Sequence, residues 1–341
     1  MNESADDGCC VLAARYVRRQ AKRLAGELDG VRKSEDIECV HRARVASRRL
    51  RSALRMFRGC FNAEEVKRWR KQIRRVTDEL SDARDKDVQI EFLCDTLQRL
   101  TEKTAYGGIA RLMVRLQRQR ERLQAKVVGA VDRLDRGGVL GEMRAAAKRL
   151  AAAAKVGRIS VQSPCTFSKT EQQILQRLNE LTSYQDSLAD PLAKQRHHAM
   201  RIAAKRLRYT VEIARPVYPG RLKSTLAAVK NLQGMLGEIH DCDVWLEQLD
   251  AYARKQRKRI ERHRGHDGPF RRSLPGIEYL KHDRREMRQR VFRELVGYWR
   301  QLEQRGLWEE LAGTVGAPAG EAFDRRSVSG EAEAAVVLPA E

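Results

Sequence analysis

The sequence predicts an all-α protein made of two similar helical halves. Three observations carry that reading. Apolar residues recur at helical spacing through most of the 341 residues. No convincing alternating strand pattern occurs, and the eight prolines sit mostly at connections, so long helices run uninterrupted. Two motifs also recur in the same order at nearly the same separation, the mark of an internal duplication.

Taken in order, the first half reads as helices over 9–28, 36–58, 63–82, 85–103, 108–135 and 140–155. The second half reads as 168–187, 190–215, 220–239, 241–262, 276–304 and a short 306–312. The domain division that follows is a first helical unit over 9–155, a linker over 156–168 and a second unit over 169–312. The linker, VGRISVQSPCTFS, is the least periodic stretch between them. From 313 to 341 the chain turns to Ala, Gly, Glu, Pro and Val without periodicity, and a disordered tail is expected.

The helix over 36–58 contains the first repeated motif. His41-Arg-Ala-Arg-Val-Ala-Ser-Arg-Arg-Leu-Arg51 aligns with His198-Ala-Met-Arg-Ile-Ala-Ala-Lys-Arg-Leu-Arg208, sharing H-x-x-R-[VI]-A-x-[RK]-R-L-R. At 100° per residue, His41, Arg44, Arg48, Arg51, Arg55 and Arg58 share one arc. Ala43, Ala46, Leu50, Ala53, Leu54 and Phe57 share the opposite one. The second copy repeats the plan with Lys194, His198, Arg201, Lys205 and Arg208 on the basic side, although Glu212 stands where Arg55 does. Like charges at i,i+4 destabilise a helix by a few tenths of a kcal/mol per pair. A single-sign stripe accepted twice reads as a wall for an anion, since Arg forks hold phosphate oxygens bidentately. His41 and His198 open the stripes and are expected to donate to the same anion, with neighbouring cations lowering their pKa.

The following helix adds Lys67 and Arg74, matched by Lys223 and Lys230. It leads into the second motif. Leu80-Ser-Asp-Ala-Arg-Asp-Lys-Asp-Val88 aligns with Leu236-Gly-Glu-Ile-His-Asp-Cys-Asp-Val244. Asp82, Asp85 and Asp87, and their counterparts Glu238, Asp241 and Asp243, admit metal ligation or acid/base work. A structural role is favoured: these carboxylates would tie down Arg49 and Arg206, which lie off the basic stripes. No metal is assigned, since His240 beside Asp241 is matched by Arg84. A weaker third match pairs Gly108-Ile109 with Gly276-Ile277, Val128-Gly129 with Val296-Gly297, and Leu134 with Leu302. The offset has grown by then, placing an insertion around 256–271.

Composition narrows the partner. The formal net charge is +22, with 33% charged and 42% hydrophobic residues, so a core forms under an excess of cations. Polyanions are the natural partners: nucleic acid, polyphosphate or an anionic surface. Seven cysteines, odd in number and without a CxxC pair, indicate neither a disulfide framework nor a zinc ribbon, and suit a reducing compartment. No apolar run approaches a membrane span, and MNESADDGCC lacks a secretory apolar region. A cytoplasmic protein is expected. Neither GxxxxGK[ST] nor GxGxxG occurs, so no nucleotide loop is signalled and no cofactor is expected.

With both motifs in view, the chain resembles the CHAD family, the conserved histidine α-helical domain, over about 10–312. That resemblance implies two four-helix bundles related by a pseudo-twofold axis, a basic central groove, and inorganic polyphosphate as ligand without catalysis. It places the ligand contacts on His41, Arg44, Arg48 and Arg51, on His198, Arg201, Lys205 and Arg208, and on Lys67, Arg74, Lys223 and Lys230; the stripe adds Arg55. It also suggests association with polyphosphate granules. The E-x-E-x-K of an attached triphosphate-tunnel domain is missing, so a stand-alone member is expected. Two other readings stay open: a nucleic-acid binder using phosphate contacts alone, and a metal-dependent phosphohydrolase using Asp85, Asp87, Asp241 and Asp243.

Overall fold

The apolar arcs dictate the packing. Leu50, Leu54 and Phe57 on one basic helix, and Met200, Leu207 and Val211 on the other, are all buried to within 1%. Each such side chain contributes about 1.5–3 kcal/mol through burial. The structure, a computed structural model, describes residues 7–34, 36–157, 159–263 and 271–317. Among these the chain is all-α, with ten α-helices, two short 3₁₀ turns and no strand.

The helices are α1 (Asp7–Lys33), α2 (Ile37–Met56), α3 (Ala63–Arg99), α4 (Lys103–Arg136) and α5 (Val139–Val156). Then come α6 (Pro164–Thr182), α7 (Lys194–Ala214), α8 (Lys223–His263), α9 (Leu274–Gln304) and α10 (Leu307–Gly316). The 3₁₀ turns are Arg58–Cys60 and Gln185–Ala189. α1 packs on α2 and α5 and also touches α6, while α2 packs directly on α7. One large apolar core therefore runs through residues of both halves. A second cluster gathers the distal parts of four long helices: Leu93 of α3, Ile109 and Leu112 of α4, Trp245 and Leu249 of α8, and Ile277 and Leu280 of α9.

Three expectations are corrected here. The helices expected to break near 82–85 and near 239–241 run straight through the acidic motifs, as α3 and α8. Inside α3 the Ser81 hydroxyl donates to the Thr77 carbonyl at 2.7 Å, so it is satisfied within the helix and does not cap a new one. Nor are the cysteines all unpaired: Cys10 of α1 and Cys60 of the first 3₁₀ turn form a disulfide, their Cα atoms 5.1 Å apart. At the other end of the chain α10 continues to Gly316, beyond the expected boundary at 313. Residues 318–341, and 264–270 of the expected insertion near 256–271, lie outside the described residues.

α4 and α9 cross where the third sequence match falls. A Cβ on Gly276 would lie 2.5 Å from the Ala105 carbonyl oxygen and 2.8 Å from the Ile109 nitrogen, with Gly108 Cα at 2.9 Å. All three are backbone atoms that cannot swing aside. Gly276→Ala is therefore expected to lower unfolding stability by about 1–3 kcal/mol, read as a shift of the urea midpoint. An unchanged midpoint would mean that the two helices separate freely at this crossing.

Candidate functional site

α2 begins at a defined place. Asp36 caps it, its carboxylate accepting from the Glu38 N–H at 2.8 Å. From there the stripe is set by the 3.6-residue period, and the buried arc fixes which way it points. Because α2 and α7 pack on one another, their basic sides meet. The Arg48 guanidinium donates to the Tyr209 hydroxyl of α7 at 2.7 Å. Arg208 stacks on the same ring, 5.2 Å from its centre. Tyr209 is buried and serves as the hub between the two stripes.

Around it the cations of both stripes converge. Lys205 is half-buried and lies within the fields of Arg48, Arg201, Arg44 and Arg208. Burial and these four charges together push its ammonium down to about 7. Arg44 is likewise lowered, by burial first and then by Arg48. It donates through Nε to the Ser81 hydroxyl at 3.0 Å, and Asp85 stands 3.9 Å away. Asp85 of α3 and Asp241 of α8 both have raised pKa values, by desolvation first; Asp85 adds to the rise at Asp241, while Arg44 and Arg201 oppose it at both. Both carboxylates nonetheless remain open to water. Crowded by protein yet wetted, these groups gather about a water-accessible recess where residues of α2, α3, α7 and α8 come within one another's fields.

The histidines flank it. His41 is half-buried and its pKa is lowered, with burial ahead of Arg84 and the stripe arginines. Burial thus outweighs the like-charge repulsion expected from the sequence. His198 Nδ1 meets His240 Nδ1 at 3.1 Å, so one ring must donate to the other. His240 falls to about 4, through burial, Arg201 and His198 in that order. At neutral pH it is therefore uncharged within the cationic cluster.

A model of the CHAD domain matches residues 15–250. The chain belongs to the CHAD domain family. Two solved structures share its fold. The CHAD domain from the plant Ricinus communis has a TM-score of 0.58 at 20% identity, covering 93% of this chain and 94% of that one. PptA from Streptomyces chartreusis has a TM-score of 0.51 at 17% identity, covering 85% and 98%. No curated protein matches by sequence.

Not every expected contact of this CHAD domain falls in the recess. Arg51 and Arg74 share Asp78, at 3.7 and 3.5 Å, and Lys67 lies 3.8 Å from Glu64. With Arg55 these residues line a separate cleft between the end of α2 and the start of α3. Lys223 and Lys230 are exposed on the first turns of α8 and take no part in the contacts that define the recess. The assigned ion pairs also change partners. Arg49 pairs with Glu212 of α7 at 2.6 Å, and Arg206 with Glu180 of α6, rather than with the acidic motifs. Glu212, which interrupts the second stripe, is thus the residue that secures Arg49. Asp82 and Glu238 form no ion pair among the described residues.

The last aspartate of each motif does have a structural partner. Asp87 accepts from Arg120 of α4 at 2.7 Å, and Asp243 from Arg288 of α9 at 2.7 Å. Arg120 and Arg288 were not singled out in the sequence. The signal was there: each follows the glycine of the third match, Gly108 or Gly276, at the same interval.

Lys205 makes a pH prediction. Its free-state pKa near 7 lies far below the ordinary lysine value of about 10.4. A polyanion in the recess favours the charged form and raises it again. Binding at pH 8 is therefore expected to take up a proton, and affinity to fall as pH rises above 7. Calorimetry in two buffers of different ionisation enthalpy reads this directly, and Lys205→Arg should remove the uptake.

Proposed function

We propose that this CHAD domain binds inorganic polyphosphate, without catalysis, in the recess between α2, α3, α7 and α8. The observation that carries the reading is the convergence of Arg44, Arg48, Arg201 and Lys205 around water-accessible space, with burial and these neighbouring cations together lowering the Lys205 ammonium to about 7. A folded protein maintains such repulsion against its own stability, and a ligand with charge at every phosphate relieves it. The family resemblance, which implies polyphosphate, supports the same ligand. Its chemistry suits the lining too: Tyr209 is buried beneath Arg48 and Arg208, so its ring is not offered for a base to stack on. Association with polyphosphate granules follows from this reading.

Competition tests it. Long-chain polyphosphate is expected to displace single-stranded RNA at physiological salt, with affinity falling as salt rises. RNA that resists displacement would replace this reading with a nucleic-acid one. Asp85 and Asp241 separate binding from hydrolysis. As neighbours of a bound polyanion they repel it, so Asp85→Asn with Asp241→Asn is expected to tighten binding, on the order of threefold. A metal-dependent phosphohydrolase would instead lose phosphate release in that variant, with Mg²⁺ or Mn²⁺ present.

A further inference from the structure

The two halves match in motif but not in what lies beyond the recess. The α2 stripe leaves the recess toward a cleft of about 560 Å³ at the junction of α2, the Arg58–Cys60 turn and α3. Arg55 and Arg58 line one side, and Lys67, Arg70, Lys71 and Arg74 line the other. Arg51, the next stripe residue toward the recess, lines the cleft as well. No carboxylate is among its lining residues, although Asp78 and Glu64 pair from outside with Arg51, Arg74 and Lys67, and Gly59, Ala63 and Val66 add a small apolar part to the lining. Among the described residues Arg55, Arg58, Arg70 and Lys71 form no ion pair. Arg55 is lowered by burial first and then by Arg206, Arg70, Arg177 and Arg51, so cations of α3, α6 and α7 face it besides those of its own helix.

At the matched positions of the second half this surface is thinned: Arg58, Lys67 and Arg74 are matched by the cations Arg215, Lys223 and Lys230, but Arg55, Arg70 and Lys71 are not. Glu212 replaces Arg55 and is engaged with Arg49. Leu226 and Ala227 stand where Arg70 and Lys71 stand in the first half. The cleft is also continuous in direction with the recess, because Arg44 and Arg55 lie on one stripe, about 16 Å apart along the helix axis. A single phosphate cannot touch both, whereas a chain can.

Resting on the polyphosphate reading above, we propose that a long phosphate chain leaves the recess on one side only, across the α2–α3 cleft. The protein then holds the chain with a defined polarity of its own two halves and prefers long chains over short ones. Arg58, Arg70 and Lys71 are the added contacts; tripolyphosphate, confined to the recess, does not need them.

The test compares two probes on three proteins by calorimetry: the parent, a cleft variant (Arg58→Glu, Arg70→Glu, Lys71→Glu), and a control of equal charge change on exposed positions of α4 (Arg118→Glu, Arg122→Glu, Lys126→Glu). Long-chain polyphosphate is expected to bind the cleft variant about tenfold more weakly than it binds the control. Tripolyphosphate is expected to bind both variants alike. Equal weakening of long chains in the two variants, or parallel loss of both probes in the cleft variant, would overturn the one-sided track. If the parent binds neither probe, the polyphosphate reading itself fails, a different result from either of these.

Discussion

Replacing Arg44, Arg48 and Arg201 with glutamate is expected to abolish polyphosphate binding while leaving the protein folded. Each arginine can offer charge-assisted hydrogen bonds, contributing about 1.5–3 kcal/mol apiece. Reversal adds repulsion to the loss, so affinity should fall by about a thousandfold or more at physiological salt. The fold survives because the other side of each helix is untouched: Leu50 and Leu54 of α2, and Met200 and Leu207 of α7, keep their complete burial. The Arg48 hydrogen bond to Tyr209 is lost, at a cost of about 1 kcal/mol. Against that, three glutamates near Lys205 replace repulsion with attraction, which favours its charged form. Calorimetry reads the binding and a thermal melt by circular dichroism reads the fold. Retained affinity would remove the recess from the ligand site. A melt shifted well below the parent would show instead that the stripes are structural.

What could be read from the sequence and what could not divide along a physical line. Features set within one helix were legible. The opposed arcs of α2 follow from periodicity alone, and the structure buries the apolar one as expected. Features set by how helices dock were not. Arg49 and Glu212 are far apart in the chain and meet only because α2 and α7 pack face to face, so a nearby acidic motif looked like the better partner. Tyr209 follows Arg208 of the second stripe in sequence, and only docking brings Arg48 against it. The continuity of α3 was hidden for a local reason: a Ser-Asp pair mid-helix has the chemistry of a cap, and only the observed bond from Ser81 back to Thr77 shows that it is not one. Cys10 and Cys60 carry no spacing signal at all, because their pairing depends on α1 lying against the turn after α2.

The acidic motifs make the second large prediction, because their two aspartates have different tasks. Asp85 and Asp241 face the recess, whereas Asp243 is 7% exposed and Arg288 6%. One Asp243 oxygen takes the Arg288 Nε at 2.7 Å, with Lys194 at 3.5 Å, and Arg288 donates a further bond to the Pro191 carbonyl at 2.6 Å. The pair therefore fastens α8 to α9 and to the start of α7, the helix that bears the second basic stripe. Asp243→Ala leaves a buried guanidinium without its counter-charge and is expected to cost about 3–5 kcal/mol of unfolding stability. Substituting both partners with apolar residues of similar volume, Asp243→Leu with Arg288→Met, removes the stranded charge and should recover most of that loss. Urea denaturation of the two single variants and the double measures the coupling. The same experiment addresses chemistry. If Asp243 served a metal-dependent reaction, its removal would cost activity with little stability, and Mg²⁺ would raise the parent's unfolding midpoint. A large destabilisation that the double variant repairs assigns Asp243 to holding α7 in place, and through α7 to the spacing of Arg201 and Lys205 across the recess.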